Sequence, residues 1–368
     1  MEDAARSGHE EIAGKLCEAG ADFGSAFDYA AEGKKLGTIR VLAKRLSQRE
    51  PVSYADVSTE AKSAVGCANV SPLLLADSGK LKRALVCAAE EEDTTTVEYL
   101  LDVGAGVDAG DAVHAVLGSG TFTSRVILNK ILGDKLGCTA VGARDSDGKL
   151  PLHANIGVEV ADILLEKGAP VDARVKKRTA LYEHLVKGRY DVAMKLLAWK
   201  ADVNAKCNEN RTPVFAAAIS SWRSGGLQIL EKIVNSGGDV RVKDSRMSTP
   251  LHYASTTAII EFLVSAGVDV NAKEDAHRGK GGGTALHKAS KNLQYARVEA
   301  LLAEKADKTI RDSNGKTPLE VVGESPKVAP HNRANIRRIK MLLEEQRVKK
   351  RARFNPPGAG ASAGHGCC

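Results

Sequence analysis

Three histidines are the residues of this chain whose type and spacing first suggest chemistry. His153, His252 and His287 each end one of three similar tetrapeptides, Leu-Pro-Leu-His, Thr-Pro-Leu-His and Thr-Ala-Leu-His. Imidazole is the commonest protein ligand of metals, so a row of histidines could form a metal ladder. Related tetrapeptides place Tyr182, Phe215 and Glu320 at the same position. The histidines therefore follow a repeat, and we expect no metal site.

The other residues that carry chemistry in enzymes lack the spacing that chemistry requires. None of the seven cysteines stands in a CxxC pair, which argues against a zinc module or a disulfide framework. Glycines at 279 and 281–283 are accompanied by neither GK[ST] nor GxGxxG, so no phosphate loop is predicted. No catalytic Ser-His-Asp or Cys-His motif is recognisable. We predict no catalytic residue, no cofactor and no metal, and hence a protein that is not an enzyme.

Composition favours a packed helical chain. Of the 368 residues, 43% are hydrophobic and 27% are charged, which is incompatible with disorder throughout. Only 4% are aromatic, and a core of Ala and Leu suits helix contacts better than a β-sandwich. No apolar run is long enough for a membrane helix, and the first residues lack the apolar stretch of a secretory signal. The expected location is the cytoplasm, the nucleus or both.

An internal repeat organises the second half of the chain. The tetrapeptides have their second residues at 151, 180, 213, 250, 285 and 318, so the steps are 29, 33, 37, 35 and 33 residues. Thr before Pro marks a helix start, because Thr can cap the helix and Pro loses only an amide that has no intrahelical partner. A second apolar run ends at Gly, and a turn such as Asp-Val-Asn-Ala follows. Each repeat is turn, helix, link and helix, and must stack to bury its apolar faces.

This pattern resembles the ankyrin repeat, with its period of about 33 residues and its T-P-L-H-x-A signature. The resemblance implies an all-α ankyrin-repeat solenoid of about ten to eleven helix-turn-helix units with short β-turn fingers. It also implies that the recurring His is structural, hydrogen-bonded to the Thr of its own turn. By the same resemblance, a concave groove and the finger loops bind a protein ligand. We therefore expect a non-enzymatic protein–protein interaction scaffold or adaptor.

The strength of the pattern predicts three regions. Divergent ankyrin repeats occupy 1–142, well-matched repeats occupy 143–346, and 347–368 form a basic, Gly/Ala-rich flexible tail. In the divergent region there is room for a degenerate repeat near 51–78. The chain is expected to begin inside a repeat, with no first helix before Ala4 and with residues missing upstream.

Two irregularities interrupt the repeats. The distance from the second tetrapeptide residue to the next apolar pair varies from 12 residues (250 to 262) to 24 (318 to 342), so curvature should be disturbed locally. Lys200 and Lys305 replace the usual Gly after the second helix. If that position is left-handed, each lysine destabilises the fold by about 1 kcal/mol.

Positive charge is concentrated on four successive predicted fingers, at 174–178, 206–211, 241–248 and 273–281, with a summed charge of +8. Solubility and complementarity to an acidic protein segment both explain this charge. The candidate protein-binding residues are Lys176, Lys177, Arg178, Arg211, Trp222, Arg246 and Arg278. Trp222 lies in a long link, where it could anchor a partner or pack against the neighbouring link.

The C-terminal region carries the net charge of the chain. Between residues 331 and 354, nine Lys or Arg face two Glu, which equals the +7 of the whole protein. The cluster at 347–353 resembles a nuclear-localisation signal, with Lys349, Lys350, Arg351 and Arg353 as candidate residues. An alternative function is therefore a nuclear nucleic-acid-associated regulator acting through this basic tail.

The partners expected from the sequence follow from these features. A protein with an acidic segment is the expected ligand. Nucleic acid is not expected as the main partner, because the basic tail has few aromatic side chains to stack on bases. Membrane attachment is expected only through modification of Cys367 and Cys368, with the basic cluster as a second signal.

Overall fold

The computed structural model describes residues 1–19, 26–47, 78–102, 110–117, 121–133, 140–220, 225–277, 280–324 and 333–354. For 17, 45–47, 78–80, 277, 280–281 and 345–354 the description is limited to the backbone. Contacts divide the chain into two compact units. The first consists of Met1–Glu183 and Asp191–Ala201, and the second of His184–Tyr190 and Asp202–Cys368.

The first unit is a stack of helix pairs. Its elements are α1 (Glu2–Ser7), α2 (Glu10–Glu18), α3 (Ala26–Glu32), α4 (Leu36–Ser47), α5 (Ser78–Glu90), α6 (Thr94–Asp102), α7 (Gly110–Leu117), α8 (Phe122–Ile131), a 3-10 turn (Pro151–His153), α9 (Val158–Glu166), β1 (Arg174–Val175) and β2 (Arg178–Thr179). Helices α10 (Ala180–Val186) and α11 (Tyr190–Ala198) contain residues of both units. First helices pack on first helices, in the order α1, α3, α5, α7, and second helices on second helices, in the order α2, α4, α6, α8. This is the two-layer stack that the repeat predicts.

The stack corrects one expectation for the divergent region. A short helix, α1, begins at Glu2 and buries Ala4 and Ala5, where no first helix was expected before Ala4. Residues 48–77, which include most of the predicted degenerate repeat near 51–78, lie outside the described residues. Helices α3 and α4 pack directly on α5 and α6.

A polar cluster joins α4 to α6. The Arg40 guanidinium pairs with the Asp93 carboxylate, and its Nε donates to Thr96 Oγ1 at 3.2 Å. Asp93 also accepts the Thr96 amide at 3.1 Å and so satisfies a free donor at the start of α6. Burial alone would raise the pKa of Asp93, but the hydrogen bonds from Thr96 and Arg40 hold it below its ordinary value. The cluster therefore fixes the register of two neighbouring repeats.

The second unit continues the pattern with less regular helices. Its elements are α12 (Pro213–Ser220), α13 (Gly226–Asn235), a 3-10 turn (Pro250–His252), α14 (Thr257–Ser265), β3 (Ala276–His277), β4 (Lys280–Gly281), α15 (Ala285–Lys291), α16 (Tyr295–Ala303) and α17 (Arg333–Phe354). Strands β1 and β2 form one antiparallel hairpin and β3 and β4 another. Helix α17 continues past the predicted boundary at 346, so the backbone of 347–354 is helical where a flexible tail was expected.

Two repeats have lost most of their first helix. In the repeats that begin at Leu150 and Thr249, the first helix is a single 3-10 turn. These two repeats have links of 13 and 12 residues to the next apolar pair, whereas the repeats of α10 and α15 have 16. The difference is about one helical turn of 3.6 residues. The repeats with the shorter spacing in the sequence are therefore the ones whose first helix is about one turn shorter.

A buried arginine compensates for one of these deletions. The His252 carbonyl follows the shortened helix and accepts a hydrogen bond from Arg297 Nη2 at 3.3 Å. Arg297, on α16, is only 9% exposed, and its Nη1 donates to Gln294 Oε1 at 2.5 Å. Burial lowers the pKa of Arg297 to about 10. The side chain thus satisfies a carbonyl that would otherwise lack a partner in the core.

The recurring histidines connect each repeat to the next finger. In the second unit, His252 Nδ1 accepts the Thr249 amide at 3.2 Å, and His287 Nδ1 accepts the Thr284 amide at 3.1 Å. The Nε2 atom of each ring then donates to a carbonyl of the following repeat, Gly283 for His252 and Lys316 for His287, at 3.3 and 3.1 Å. The structural role expected for these two histidines is confirmed. Burial lowers the pKa of both rings, so they are neutral at pH 7.

Five second helices end at a left-handed residue. Lys200 has φ 58° and Lys305 has φ 63°, at the position that glycine takes after α9, α13 and α14 with φ 85°, 92° and 93°. The expectation that these lysines occupy left-handed positions is confirmed. Because a Cβ is unfavourable in this conformation, each lysine destabilises the fold by about 1 kcal/mol relative to glycine.

The histidine bonds predict a loss of stability on mild acidification. Unfolded His252 and His287 bind protons as the pH falls through their ordinary pKa near 6.5, whereas the folded rings stay neutral to a lower pH. The free energy of unfolding should therefore fall by about 1 kcal/mol per histidine between pH 7.5 and 5.5. Thermal melts of the wild type and of a His252→Gln/His287→Gln variant measure this, and the variant should show a flatter pH dependence. His9→Gln alters an exposed ring and is the matched control. An unchanged pH dependence in the double variant would contradict the assignment.

Candidate functional site

Three fingers share one turn whose geometry is set by an aspartate. Asp244 Oδ1 accepts the amides of Arg246 and Ser248 at 2.9 and 3.0 Å. Asp145 and Asp312 bind the amides two and four residues on in the same way, at distances of 2.7 to 2.9 Å. The residue three positions after the aspartate is left-handed in all three turns, as Gly148, Met247 and Gly315. The aspartate therefore fixes the backbone of these three turns.

The first unit presents a cationic finger whose tip is exposed. Strands β1 and β2 are joined by Lys176 and Lys177, which have φ 49° and 63°. Two left-handed central residues are the hallmark of a two-residue hairpin turn that normally uses Asn and Gly. Both lysines are exposed, and no hydrogen bond or ion pair with the described residues engages either ammonium group. The finger thus projects two exposed charges from a strained turn. Lys149 and, to a smaller extent, Lys176 lower the pKa of the Asp147 carboxylate.

Arg178 belongs to the same finger but is held more firmly. Its Nη1 lies 3.3 Å from Glu183 Oε2, and its guanidinium lies 5.7 Å from the centre of the Tyr182 ring. The side chain remains 48% exposed. Of the three candidate residues in this finger, Lys176 and Lys177 are therefore the two whose charges are available to a ligand.

In the second unit, Arg211 lies in a polar cluster below the finger of 244–248. Its Nε is 3.1 Å from Asp244 Oδ2, its Nη2 donates to the Tyr253 hydroxyl at 2.8 Å, and its Nη1 lies 2.8 Å from Glu209. The Asp244 side chain is fully buried, and that of Arg211 is 16% exposed. These contacts give Arg211 a structural role that its sequence position in a finger did not reveal. Its part in binding stays a prediction.

The Tyr253 ring completes this cluster. The Arg211 Cζ atom lies 4.6 Å and the Lys288 Nζ atom 3.9 Å from the centroid of the Tyr253 ring. The Phe215 ring packs edge-on against the Tyr253 ring, with 6.0 Å between the two centroids. Burial raises the pKa of Tyr253 and lowers that of Lys288. Burial alone would raise the pKa of Asp244, but its bonds with the Arg246 amide and its other donors hold it below the ordinary value. Three successive repeats are therefore tied together through one tyrosine.

Backbone hydrogen bonds connect neighbouring fingers in the second unit. Ser245 N donates to Glu209 O at 2.9 Å, and Asp275 N donates to Arg246 O at 2.7 Å. The Arg246 side chain is exposed, with no side-chain hydrogen bond or ion pair among the described residues. Trp222 and Arg278, the remaining candidates, lie outside the described residues, and for Lys349, Lys350, Arg351 and Arg353 only the helical backbone of α17 is described.

Sequence reasoning missed the exposed large apolar side chains of the described residues, which are Ile12, Phe122, Val186, Met194, Trp199, Met247 and Met341. Met247, at a finger tip, is 41% exposed, Met194 on α11 is 42% exposed, and Trp199, which follows the end of α11, is 46% exposed. Comparison of the fingers could have found Met247, since Gly148 and Gly315 occupy its position in two other fingers. Nothing in the repeat pattern distinguishes Trp199 from a buried residue at the end of its helix.

A metal centre and a membrane-spanning helix are two other kinds of functional feature. No group of three or more His, Cys, Asp or Glu side chains in the described ranges could hold a metal ion. Among the helices of the described part of the chain, none has both the length and the apolar character needed to cross a membrane.

Comparison with known proteins identifies the repeats. Residues 214–312 match the family described as "Ankyrin repeats (3 copies)". A stretch of 203 residues is 30% identical to neurogenic locus notch homolog protein 1 of human and mouse, covering 50% of this chain and 8% of those proteins. The transient receptor potential cation channel subfamily A member 1 homolog of Caenorhabditis elegans is 25% identical over 203 residues, or 53% of this chain and 16% of the channel.

The chain spans less than a tenth of the length of the notch proteins it matches. The likeness therefore concerns a repeat region and not a whole protein. The family match covers three repeats, so the expected ten to eleven are not confirmed, although the helix pairs of the first unit stack from residue 2 onward. With its turn, helix and finger geometry and these matches, the chain is an ankyrin-repeat protein.

Proposed function

We propose that this protein is a non-enzymatic scaffold or adaptor that binds an acidic segment of a protein partner through its finger loops and concave groove. Ankyrin repeats generally mediate protein–protein interaction, which supports the general class. The observation that carries the finer proposal is the tip of the β1–β2 hairpin, where Lys176 and Lys177 are exposed in left-handed conformations. Glycine or asparagine would relieve the turn, so the lysines are disfavoured by folding.

The exposed charges of Lys176 and Lys177 indicate that the ligand is acidic. Because neither ammonium group is paired with the described residues, a partner's carboxylates meet cations that have no intramolecular bond to break. Residues held in strained conformations are concentrated at functional sites, where surrounding structure maintains them. Charge complementarity of this kind raises the association rate and gives binding a strong dependence on salt.

Replacing the hairpin tip should separate binding from folding. A Lys176→Asn/Lys177→Gly variant should be as stable as the wild type or more stable by about 1 kcal/mol, because it installs the preferred turn residues. Its affinity for a synthetic Asp/Glu-rich peptide should fall and lose much of its salt dependence. Fluorescence anisotropy at low and moderate salt measures this.

A matched control comes from the chain itself. The Lys200→Gly/Lys305→Gly variant also removes two exposed left-handed lysines, but these lie after second helices and outside the fingers. It should keep wild-type peptide affinity. Equal losses of affinity in the two variants would show that only net charge matters and would refute the proposed site.

Arg211 should behave as a folding residue. Removal of its guanidinium leaves the fully buried Asp244 carboxylate without a cation. We therefore expect Arg211→Ala to lower the free energy of unfolding by about 3 kcal/mol. Urea denaturation should show a change within about 0.5 kcal/mol for Arg246→Ala in the next finger, whose side chain is exposed. A similar small effect of both substitutions would mean that the cluster does not stabilise the fold.

The basic residues on α17 are proposed to direct nuclear import. Four cations lie within five positions on this helix, at 349 to 353. Alanine at Lys349, Lys350, Arg351 and Arg353 should abolish nuclear accumulation of a fluorescent fusion of the full chain. Serine at Cys367 and Cys368 should leave it unchanged. If instead the cysteine variant alone redistributes the protein, membrane attachment through the terminal cysteines is the better account.

A further inference from the structure

The tip of the finger at 244–248 carries a bulky side chain that the turn does not require. Met247 is left-handed with φ 57°, and its side chain is 41% exposed. A bulky residue in this conformation is a genuine outlier for an L-amino acid. The equivalent tips in two other fingers are Gly148 and Gly315, with φ 74° in each, so the turn itself needs no side chain here.

The finger holds Met247 in place through the residues around it. The Met247 amide donates to Asp244 O at 2.9 Å, and the Asp244 amide donates to Ser248 O at 2.9 Å. The buried Asp244 carboxylate also binds two amides of the turn, Arg211 and the Tyr253 hydroxyl. Strain of this kind persists only where neighbouring structure determines the conformation. Met247 is therefore an apolar side chain presented from a backbone position that is fixed in advance.

The finger that carries Met247 is itself cationic. Arg241, Lys243 and Arg246 are exposed on the same finger, and its one carboxylate, that of Asp244, is buried against Arg211. Apolar contact alone would not select a charged ligand, and cations alone would not need a methionine. Together they fit an acidic segment that carries one apolar side chain among its carboxylates.

We infer that Met247 is the apolar anchor of a second recognition element, which takes one apolar side chain of an acidic peptide flanked by carboxylates that meet Arg241, Lys243 and Arg246. This inference rests on the proposed function, because it names a further feature of the ligand that the fingers bind. Because the backbone of this finger is already ordered before the partner arrives, binding loses little backbone entropy there.

The experiment is a double-mutant cycle with two synthetic peptides. One is an Asp/Glu-rich peptide with a central Leu, and the other is the same peptide with Ser in place of Leu. The full-length wild-type chain should prefer the Leu peptide by about fivefold or more, as a truncated hot-spot residue would predict. Met247→Gly should reduce this preference to less than about twofold, and fluorescence anisotropy measures all four affinities.

The neighbouring finger supplies the matched control. Asn210 is also left-handed, with φ 57°, and exposed, but its side chain is polar. Asn210→Gly should keep the preference for Leu. Met247→Gly should raise the melting temperature by about 1 to 2 °C, because glycine is favoured at this φ. A lower melting temperature overturns the strain argument, and a wild-type chain without a preference for Leu overturns the inference.

The two proposals fail in different ways. The Lys176→Asn/Lys177→Gly variant should lower the affinity for both peptides by the same factor, since it removes charges and no apolar contact. If this variant has no effect while Met247→Gly abolishes the preference for Leu, the hairpin site fails and the anchor stands. If Met247→Gly retains the preference while the hairpin variant weakens binding, the anchor fails and the proposed function stands.

Discussion

The hydrogen-bonded path from threonine through histidine to the next finger is the interaction on which the repeats of the second unit depend. Each imidazole accepts an amide of its own turn and donates to a carbonyl of the following one. One buried ring therefore fixes a helix start and the position of the neighbouring finger together. A finger that shifts would break its hydrogen bond with the imidazole and leave a buried polar group unpaired. Such a group destabilises the fold by about 1 to 3 kcal/mol. The rigidity of the fingers follows from the helices beneath them.

Left-handed residues are the second organising feature. The repeat needs one after each second helix and one at each finger tip, and glycine occupies only some of these positions in the turns described. Asparagine, as at Asn210, tolerates the conformation, whereas folding alone does not favour lysine or methionine there. The lysine and methionine exceptions at these positions are of two kinds. Lys200 and Lys305 follow helices, whereas Lys176, Lys177 and Met247 lie at the tips of projecting turns.

The fold was predictable from the sequence because short-range residue preferences define the repeat: threonine caps, proline at helix starts and glycine at helix ends. The sequence also predicted the left-handed positions of Lys200 and Lys305, since position in a repeat determines conformation. The structural use of Arg211 was not predictable, because its partners Asp244 and Tyr253 lie in the next repeat and only stacking brings them together. For the same reason, the direct packing of α3 and α4 on α5 and α6 could not be read from a region without a pattern.

That direct packing has a consequence for how such a protein can change its length. Helix α4 ends at Ser47 and α5 begins at Ser78, yet their repeats are neighbours in the stack. The entropy lost on closing a connecting segment grows only with the logarithm of its length, by about 0.6 kcal/mol for each doubling. Adjacency is therefore a property of complementary surfaces and not of continuity along the chain. A solenoid of this kind can therefore accept an inserted segment between two repeats. The packing surfaces of the two repeats need no change when such a segment is inserted, in evolution or in protein engineering.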